Sequence, residues 1–335
     1  MRKEGFMKKG MAASLVGALA LSAFALYGGN AWAADPIDLT KTCSLTIEVE
    51  SGSQFEADLD QMTIPVDLYK VADVDVSGSY TELTGFEGIG LDGVSDATTA
   101  DEWLTMAETA AGMLTDASAP TESIQLVNGS AVADALEAGM YLVVPAETYN
   151  ADYSYLYQFT PYLTALPGND YYNSGNDAWD YDPVIGLKAE REEQYGGLTI
   201  NKNLLNFNSL TQGGYFVFQI EGEKDGVKYS NVTSVNMSEA GTGSAYVDGI
   251  PVGMTVTVTE VYSGGSYEPV GSTTATATIV ADQIVEAGGS GAAVTFENDY
   301  NDKLIPGTGV LNQFTAPEGE GDWTWEQVDG NVEAQ

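Results

Sequence analysis

Apolar and polar residues alternate through most of the chain beyond residue 36. Residues 45–49, 65–71 and 140–144 show the period of two expected of strands with one buried face. One segment breaks the rule. From Thr99 to Leu114 the apolar residues Trp103, Met106, Ala107, Ala110, Met113 and Leu114 recur at helical spacing, and Thr99 stands where an N-cap belongs. Past residue 196 every segment reads as a strand: 198–204, 215–221, 245–247, 255–262, 274–280 and 293–300. Gly, Ser and Asn clusters part them at the spacing of a β-sandwich. The charged stretch 188–194, followed by Tyr195-Gly196-Gly197, is the natural seam. The pattern therefore predicts an all-β chain of tandem immunoglobulin-like β-sandwiches, the first at 36–190 with one inserted helix and the second at 196–300. An acidic tail, 301–335, follows.

The ends add an address. Arg2, Lys3, Lys8 and Lys9 precede an apolar run from Met11 to Leu26, and the small-residue triplet Ala31-Trp32-Ala33 comes next. That order is a secretory signal peptide, predicted over residues 1–33. No second apolar run of membrane-spanning length follows, so the mature part is expected to have no membrane span.

Lys+Arg number 12 against 49 Asp+Glu, a net charge of −37 that repels nucleic acid and anionic lipid. A hydrophobic fraction of 44% is enough to build cores, so the acidity reads as folded surface rather than disorder. Histidine is absent, which removes the commonest general base and the commonest zinc ligand. Cys43 is the one cysteine, so no intrachain disulfide can form; it lies too far past the cleavage site to carry a lipid anchor. No cofactor, metal site or metabolic enzyme activity is expected.

A short repeat links the two domains. Leu45-Thr46-Ile47-Glu48-Val49 matches Leu198-Thr199-Ile200-Asn201-Lys202, and 139–149 lines up with 253–262. Side chains two apart in a strand share a face. Leu198, Ile200 and Lys202 then share the core face of one strand, with Thr199, Asn201 and Asn203 toward water. Val256, Val258 and Glu260 share that of a second, and Val294, Phe296 and Asn298 that of a third. Three strands each aim one polar group inward. Burying a lysine or carboxylate unpaired costs several kcal/mol. From the residues alone, a buried Lys202–Glu260 ion pair with Asn298 hydrogen-bonded beside it and an in/out parity that fails at the strand ends both remain open.

The segments LTINK, VTVTEV and VTFENDY resemble the collagen-adhesin B-type (CnaB, SpaA-like) domains of Gram-positive pilins and adhesins, and the likeness runs over residues 196–300. It implies a spontaneous isopeptide bond between Lys202 and Asn298, with Glu260 as a single-turnover catalyst. An apolar core disfavours both the ammonium and the carboxylate, which lets the amine attack. In the first domain the repeat sets Val49 in the lysine slot and Ala146 in the glutamate slot, and residues 182–188 hold no asparagine. No such bond is expected there; Lys41 and Lys70 remain candidate cross-linkers but read better as solvated lysines.

The same resemblance implies assembly signals. Trp179 and Lys188 keep the nine-residue spacing of a shaft-pilin motif, with Ile185 at one apolar position, which makes Lys188 a candidate intersubunit acceptor. Ile305-Pro306-Gly307-Thr308-Gly309 is a candidate sortase motif, without the membrane-spanning stretch and basic tail that normally follow. Trp323, Trp325 and Val328 suggest a strand with nothing in its own domain to pair with, free to dock on the first domain or on a neighbour's sheet edge. Asp73-x-Asp75-x-Ser77-Gly78 echoes a calcium loop but has Thr84 where glutamate is required, and it reads, like the acidic aromatic stretch 169–177, as a solvated loop. The implied function is a structural subunit of a surface pilus or fimbria in the cell wall, serving adhesion. Its implied partners are other pilin subunits and a sortase. The alternatives are a tip-located or secreted adhesin whose tyrosines from 149 to 172 meet a host or glycan ligand, and a freely secreted protein.

Overall fold

The computed structural model describes residues 36–95, 97–169, 178–209, 213–301, 310–315 and 324–329. The leader, the 305–309 motif and residues 170–177 lie outside them. The chain divides into two compact units between Glu192 and Glu193.

The first unit runs β1 (Cys43–Glu48), α1 (Glu56–Leu59), β2 (Thr63–Val74), β3 (Tyr80–Glu82), α2 (Ala100–Gly112), β4 (Glu122–Val127), β5 (Ser130–Leu136) and β6 (Gly139–Pro145). It continues through β7 (Thr148–Tyr149), β8 (Tyr155–Phe159), β9 (Tyr162–Leu166), β10 (Gly168–Asn169), β11 (Trp179–Asp180), β12 (Val184–Gly186) and β13 (Ala189–Glu193). One sheet has the order β12-β1-β5-β4-β2-β6-β9, and a smaller one β13-β8-β7. Residues 65–71 belong to a longer strand, β2, whose first half sends Ile64, Val66 and Leu68 into one core. On the opposite face Tyr69 and Val71 pack in a second core, and a register shift between Lys70 and Ala72 brings Ala72 into it as well. That second core lies under α2, where Ala107 and Ala110 are buried and Trp103, Met106, Met113 and Leu114 are half-buried. Residues 140–144 are buried on both faces rather than alternately, because β6 feeds Tyr141 and Val143 to one core and Met140 and Leu142 to the other.

The helix begins where its cap signal stood. Thr99 Oγ1 accepts from the Glu102 amide at 3.3 Å, and Glu102 Oε2 accepts from the Thr99 amide at 2.7 Å, a reciprocal capping box. Arg191 fixes the last strand of the unit: its guanidinium lies 4.0 Å from the Tyr155 ring centre, 5.1 Å from that of Phe55 and 3.8 Å from the Asp58 carboxylate.

The second unit contains β14 (Tyr195–Leu204), β15 (Gly214–Lys224), β16 (Val227–Met237), β17 (Gly241–Pro251) and β18 (Thr255–Tyr262). After these come β19 (Tyr267–Val270), β20 (Thr274–Thr278), α3 (Asp282–Glu286), β21 (Ala292–Tyr300), β22 (Val310–Thr315) and β23 (Thr324–Asp329). Two four-stranded sheets, β17-β14-β21-β19 and β16-β15-β18-β20, enclose one apolar core. Both units therefore place their opening strand between an antiparallel partner, β5 or β17, and a parallel closing strand, β12 or β21. Gly196 is required by close approach, since a Cβ there would lie 2.0 Å from the Val280 carbonyl oxygen.

The structure amends the sequence reading of the second unit as well. Residues 227–237 and 267–270 form strands that the alternation missed, and residues 282–286 form a helical turn in a region expected to be wholly strand. The unpartnered tail strand has a partner: β23 pairs antiparallel with β22, from Val310 opposite Asp329 to Thr315 opposite Thr324.

Thr99→Ala removes the cap of α2 and should lower the stability of the first unit by about 1 kcal/mol. The check is a denaturant titration in which the midpoint falls while the slope is unchanged.

Candidate functional site

The geometry of the second unit converges on three side chains. Lys202 on β14 and Asn298 on β21 belong to adjacent parallel strands of one sheet; Leu204 is the residue directly opposite Asn298, two places along from Lys202. A long lysine side chain can span that offset. Glu260 comes from β18 in the facing sheet, directly opposite Phe218 of β15. Lys202 and Asn298 are 0% exposed and Glu260 is 7% exposed, in a core otherwise built of Leu, Ile, Val and Phe.

The contacts form a closed set. Lys202 Nζ donates to Glu260 Oε1 at 3.0 Å, to Glu260 Oε2 at 3.1 Å and to Asn298 Oδ1. Asn298 Nδ2 donates to Glu260 Oε1 at 2.9 Å and to the Ser263 carbonyl at 3.5 Å. Aromatic rings wall the site. The Lys202 amine is 4.7 Å from the Phe216 ring centre and 5.9 Å from that of Phe218, and Phe218 packs on Phe296 at 5.1 Å. Burial pulls the Lys202 pKa below its ordinary value of 10.5, against the hydrogen bond and charge of Glu260, which pull it up. Phe216 and Phe218 were within reach of sequence reasoning, since parity on β15 aims both at the core, whereas nothing in the sequence marks the Ser263 carbonyl.

Among the described residues the first unit has no equivalent constellation. Val49 is buried, but Ala146 lies beyond the end of β6 and is exposed, so the repeat does not carry the glutamate slot into this core. The parallel pairing of Ile47 with Ile185 corresponds to that of Ile200 with Val294, which sets Ala189 in the place of Asn298. Lys70 is not the solvated lysine expected. Its amine contacts Asp73 at 2.7 Å and Glu137 at 3.1 Å, and although burial opposes its charge, these partners raise its pKa overall. Lys41 lies 4.8 Å from the centre of the Tyr181 ring.

Of the residues expected from sequence to serve assembly, Trp179 sits on β11 and is half-buried, and Lys188 is exposed between β12 and β13. Its pKa is drawn down by partial desolvation. In the loop between β2 and β3, Asp75 Oδ1 accepts from the Ser77 and Ser79 amides at 2.8 and 3.0 Å, the bonds of a turn. Among the described residues no His, Cys, Asp and Glu group is placed to hold a metal ion, and no helix is long and apolar enough to cross a membrane. Of the tyrosines between 149 and 172, Tyr157 is buried against Asp58, while Tyr149 and Tyr153 stack at 5.2 Å.

A family described as a domain of unknown function (DUF5979) matches residues 198–301, the segment that holds all three residues. Among solved structures the chain is similar to the major pilin SpaA of Corynebacterium diphtheriae, described as a modular pilus assembly with stabilizing isopeptide bonds. The identity is 13% and the TM-score 0.31, over 70% of this chain and 69% of that one. It is also similar to the full-length major pilin SpaD of the same organism, at 12% identity and a TM-score of 0.26 over 79% and 99% of the two chains. A streptococcal ancillary pilin gives 14% identity and a TM-score of 0.26, with 79% of this chain spanning 64% of that one. No curated protein sequence matches the chain. The pilin resemblance drawn from the sequence thus recurs among solved structures, at a level of similarity too low to bear on function.

Asn298→Ala removes the carbonyl that Lys202 would attack and leaves its amine free to titrate. Because burial lowers the folded pKa, the unfolded chain binds more protons in the window between that value and 10.5. Stability of the second unit in this variant should therefore rise with pH across the window. Urea titrations at several alkaline pH values test the sign, and a flat or falling profile would contradict it.

Proposed function

We propose that the chain is a structural subunit of a Gram-positive surface pilus or fimbria, exported to the cell wall and serving adhesion. In this reading its second domain closes an autocatalytic isopeptide bond between Lys202 and Asn298. The observation that carries the reading is the double engagement of one oxygen. Glu260 Oε1 lies 3.0 Å from the amine that would attack and 2.9 Å from the amide nitrogen that would leave.

The chemistry follows from that bridge. The ammonium of Lys202 passes a proton to Glu260, giving a neutral amine and a neutral acid in a core that disfavours either charge. The amine attacks Asn298 Cγ, and the protonated Glu260 stabilises the negative charge developing at the amide. Glu260 then gives its proton to Nδ2 and takes one from Nζ. The Cγ–Nδ2 bond breaks, ammonia departs, and a Cγ–Nζ amide remains. Nucleophile and carbonyl are held together before reaction, which supplies the proximity such a slow acyl transfer needs. Each molecule reacts once, so Glu260 is a single-turnover catalyst and the product is a strut.

A bond between residues 96 apart closes almost the whole domain. By the loop-closure relation used for disulfides it stabilises by about 4–5 kcal/mol, and no thiol reductant opens it. A secreted domain with no disulfide gains robustness by this route. Fibre assembly in this reading uses Lys188, exposed at the end of the first unit. A sortase would join it to Thr308 of the next subunit after cleaving the 305–309 motif.

Intact mass spectrometry of the mature chain should read one ammonia below the sequence mass, and Glu260→Ala should restore the full mass. A fully folded wild type at full mass would leave Lys202 and Glu260 as a buried ion pair. For assembly, denaturing gels of wall extracts should show a ladder that Lys188→Ala abolishes; a ladder that survives the substitution rules out this acceptor.

A further inference from the structure

Sheet edges must be paired, covered or blunted, because a row of open amides and carbonyls invites another chain. In the second unit β17 is interrupted by a register shift opposite Gly196 and Leu198, and β19 is four residues long with Pro269 inside it. The edge of β20 is short, and the Ser272 hydroxyl already bonds both the amide and the carbonyl of Thr274. β16 has neither a register shift nor a proline, and a side chain occupies just one of its outward amides among the described residues, that of Val232. It is 11 residues long, pairs with β15 from Met237 to Val227, and has no aspartate or glutamate.

The register identifies its open groups. Asp225 and Gly226 both have positive φ, 52° and 79°, the conformation of a two-residue type I′ hairpin. Lys224 and Val227 are therefore a hydrogen-bonded pair, and bonding alternates from there. Val227, Tyr229, Asn231, Thr233, Val235 and Met237 bond to β15. Lys228, Ser230, Val232, Ser234 and Asn236 turn their amides and carbonyls outward. Among the described residues only the Val232 amide of this outward set has a partner, the Asn231 side chain at 2.7 Å. In an acidic chain this edge carries Lys228 and no carboxylate.

The same chain holds a hairpin in search of a sheet. β22 and β23 form a two-stranded sheet that pairs with nothing else among the described residues. Two strands alone are marginal in water, and a third is what stabilises them. The hairpin carries Glu326 and Asp329, the charge that the β16 edge lacks. Its strands, six residues each, fit within the outward run 228–236.

We propose that the C-terminal hairpin of one copy adds to the β16 edge of a second copy, continuing the sheet β16-β15-β18-β20 by main-chain hydrogen bonds. The two surfaces differ, so the contact is heterologous and repeats from copy to copy into an open chain rather than closing on itself. It is independent of the Lys202–Asn298 bond.

Sedimentation of the full mature chain over a range of concentrations tests this. The wild type should associate progressively beyond a dimer. Ser234→Pro, which removes an outward amide and no bond to β15, should weaken association by about tenfold or more. Phe314→Pro with Trp325→Pro, which removes both amides of one hairpin pair, should do the same. Mixing the two variants should restore one-to-one dimers and nothing larger, because each retains one half of the contact. Circular dichroism checks folding, and Lys228→Glu, a surface change, serves if Ser234→Pro unfolds the domain. A wild type that stays monomeric, which includes a hairpin folded onto its own β16, overturns the proposal. So does a hairpin variant, or a folded edge variant, that associates as well as the wild type.

Discussion

A lysine amine at the centre of an apolar sandwich has few tolerable states. Water cannot reach Lys202, and leaving its charge unpaired in such a core would cost much of a domain's net stability. It must be paired, neutralised or consumed by reaction, and each outcome demands specific neighbours. Glu260 arrives from the facing sheet and Asn298 from the adjacent strand because β14, β18 and β21 hold a fixed register around the core. The alternation of Leu, Ile, Val and Phe along those strands sets that register, since a slip of one residue would turn every apolar side chain outward. The polar cluster and the apolar core therefore constrain each other.

The two units show what this constraint adds. They share a plan in which the opening strand lies between an antiparallel neighbour and a parallel closing strand. In the first unit Val49 and Ala189 occupy the positions of Lys202 and Asn298, and stability comes from elsewhere: two cores on either face of β2 and β6, a capped helix, and the Arg191 contacts at its end. A parallel pairing of first and last strands is the place where one covalent link encloses most of a domain. The second unit has the residues for that link, and among the described residues the first does not.

The second unit was the more legible in sequence, for a physical reason. Each of its core strands has one buried and one outward face, so parity alone aimed Lys202, Glu260 and Asn298 inward. In the first unit β6 is buried on both faces, and a period of two cannot describe it. The bulge near Lys70 reverses parity in the middle of β2, which no local pattern announces. The helix was readable because its apolar residues recur at helical spacing behind a cap at Thr99, signals that lie within one short segment of sequence. β16 escaped notice because Asn231 and Thr233 interrupt its inner face, parting Val227 and Tyr229 from Val235 and Met237, while Val232 stands on the outer face. The pairing of β23 with β22 depends on a partner across an eight-residue connection, beyond the reach of a local pattern. Ala146 was misplaced because a short repeat fixes spacing and not where a strand ends.

The central claim is that Lys202, Glu260 and Asn298 form a reacting triad rather than a stored ion pair. Its most direct test is tandem mass spectrometry of a complete proteolytic digest of the folded mature chain. The account predicts a branched peptide in which Lys202 Nζ is joined to the side-chain carbonyl of Asn298, absent from a Glu260→Ala digest. Two separate linear peptides, one with a free Lys202 amine and one with an intact Asn298 amide, would contradict it.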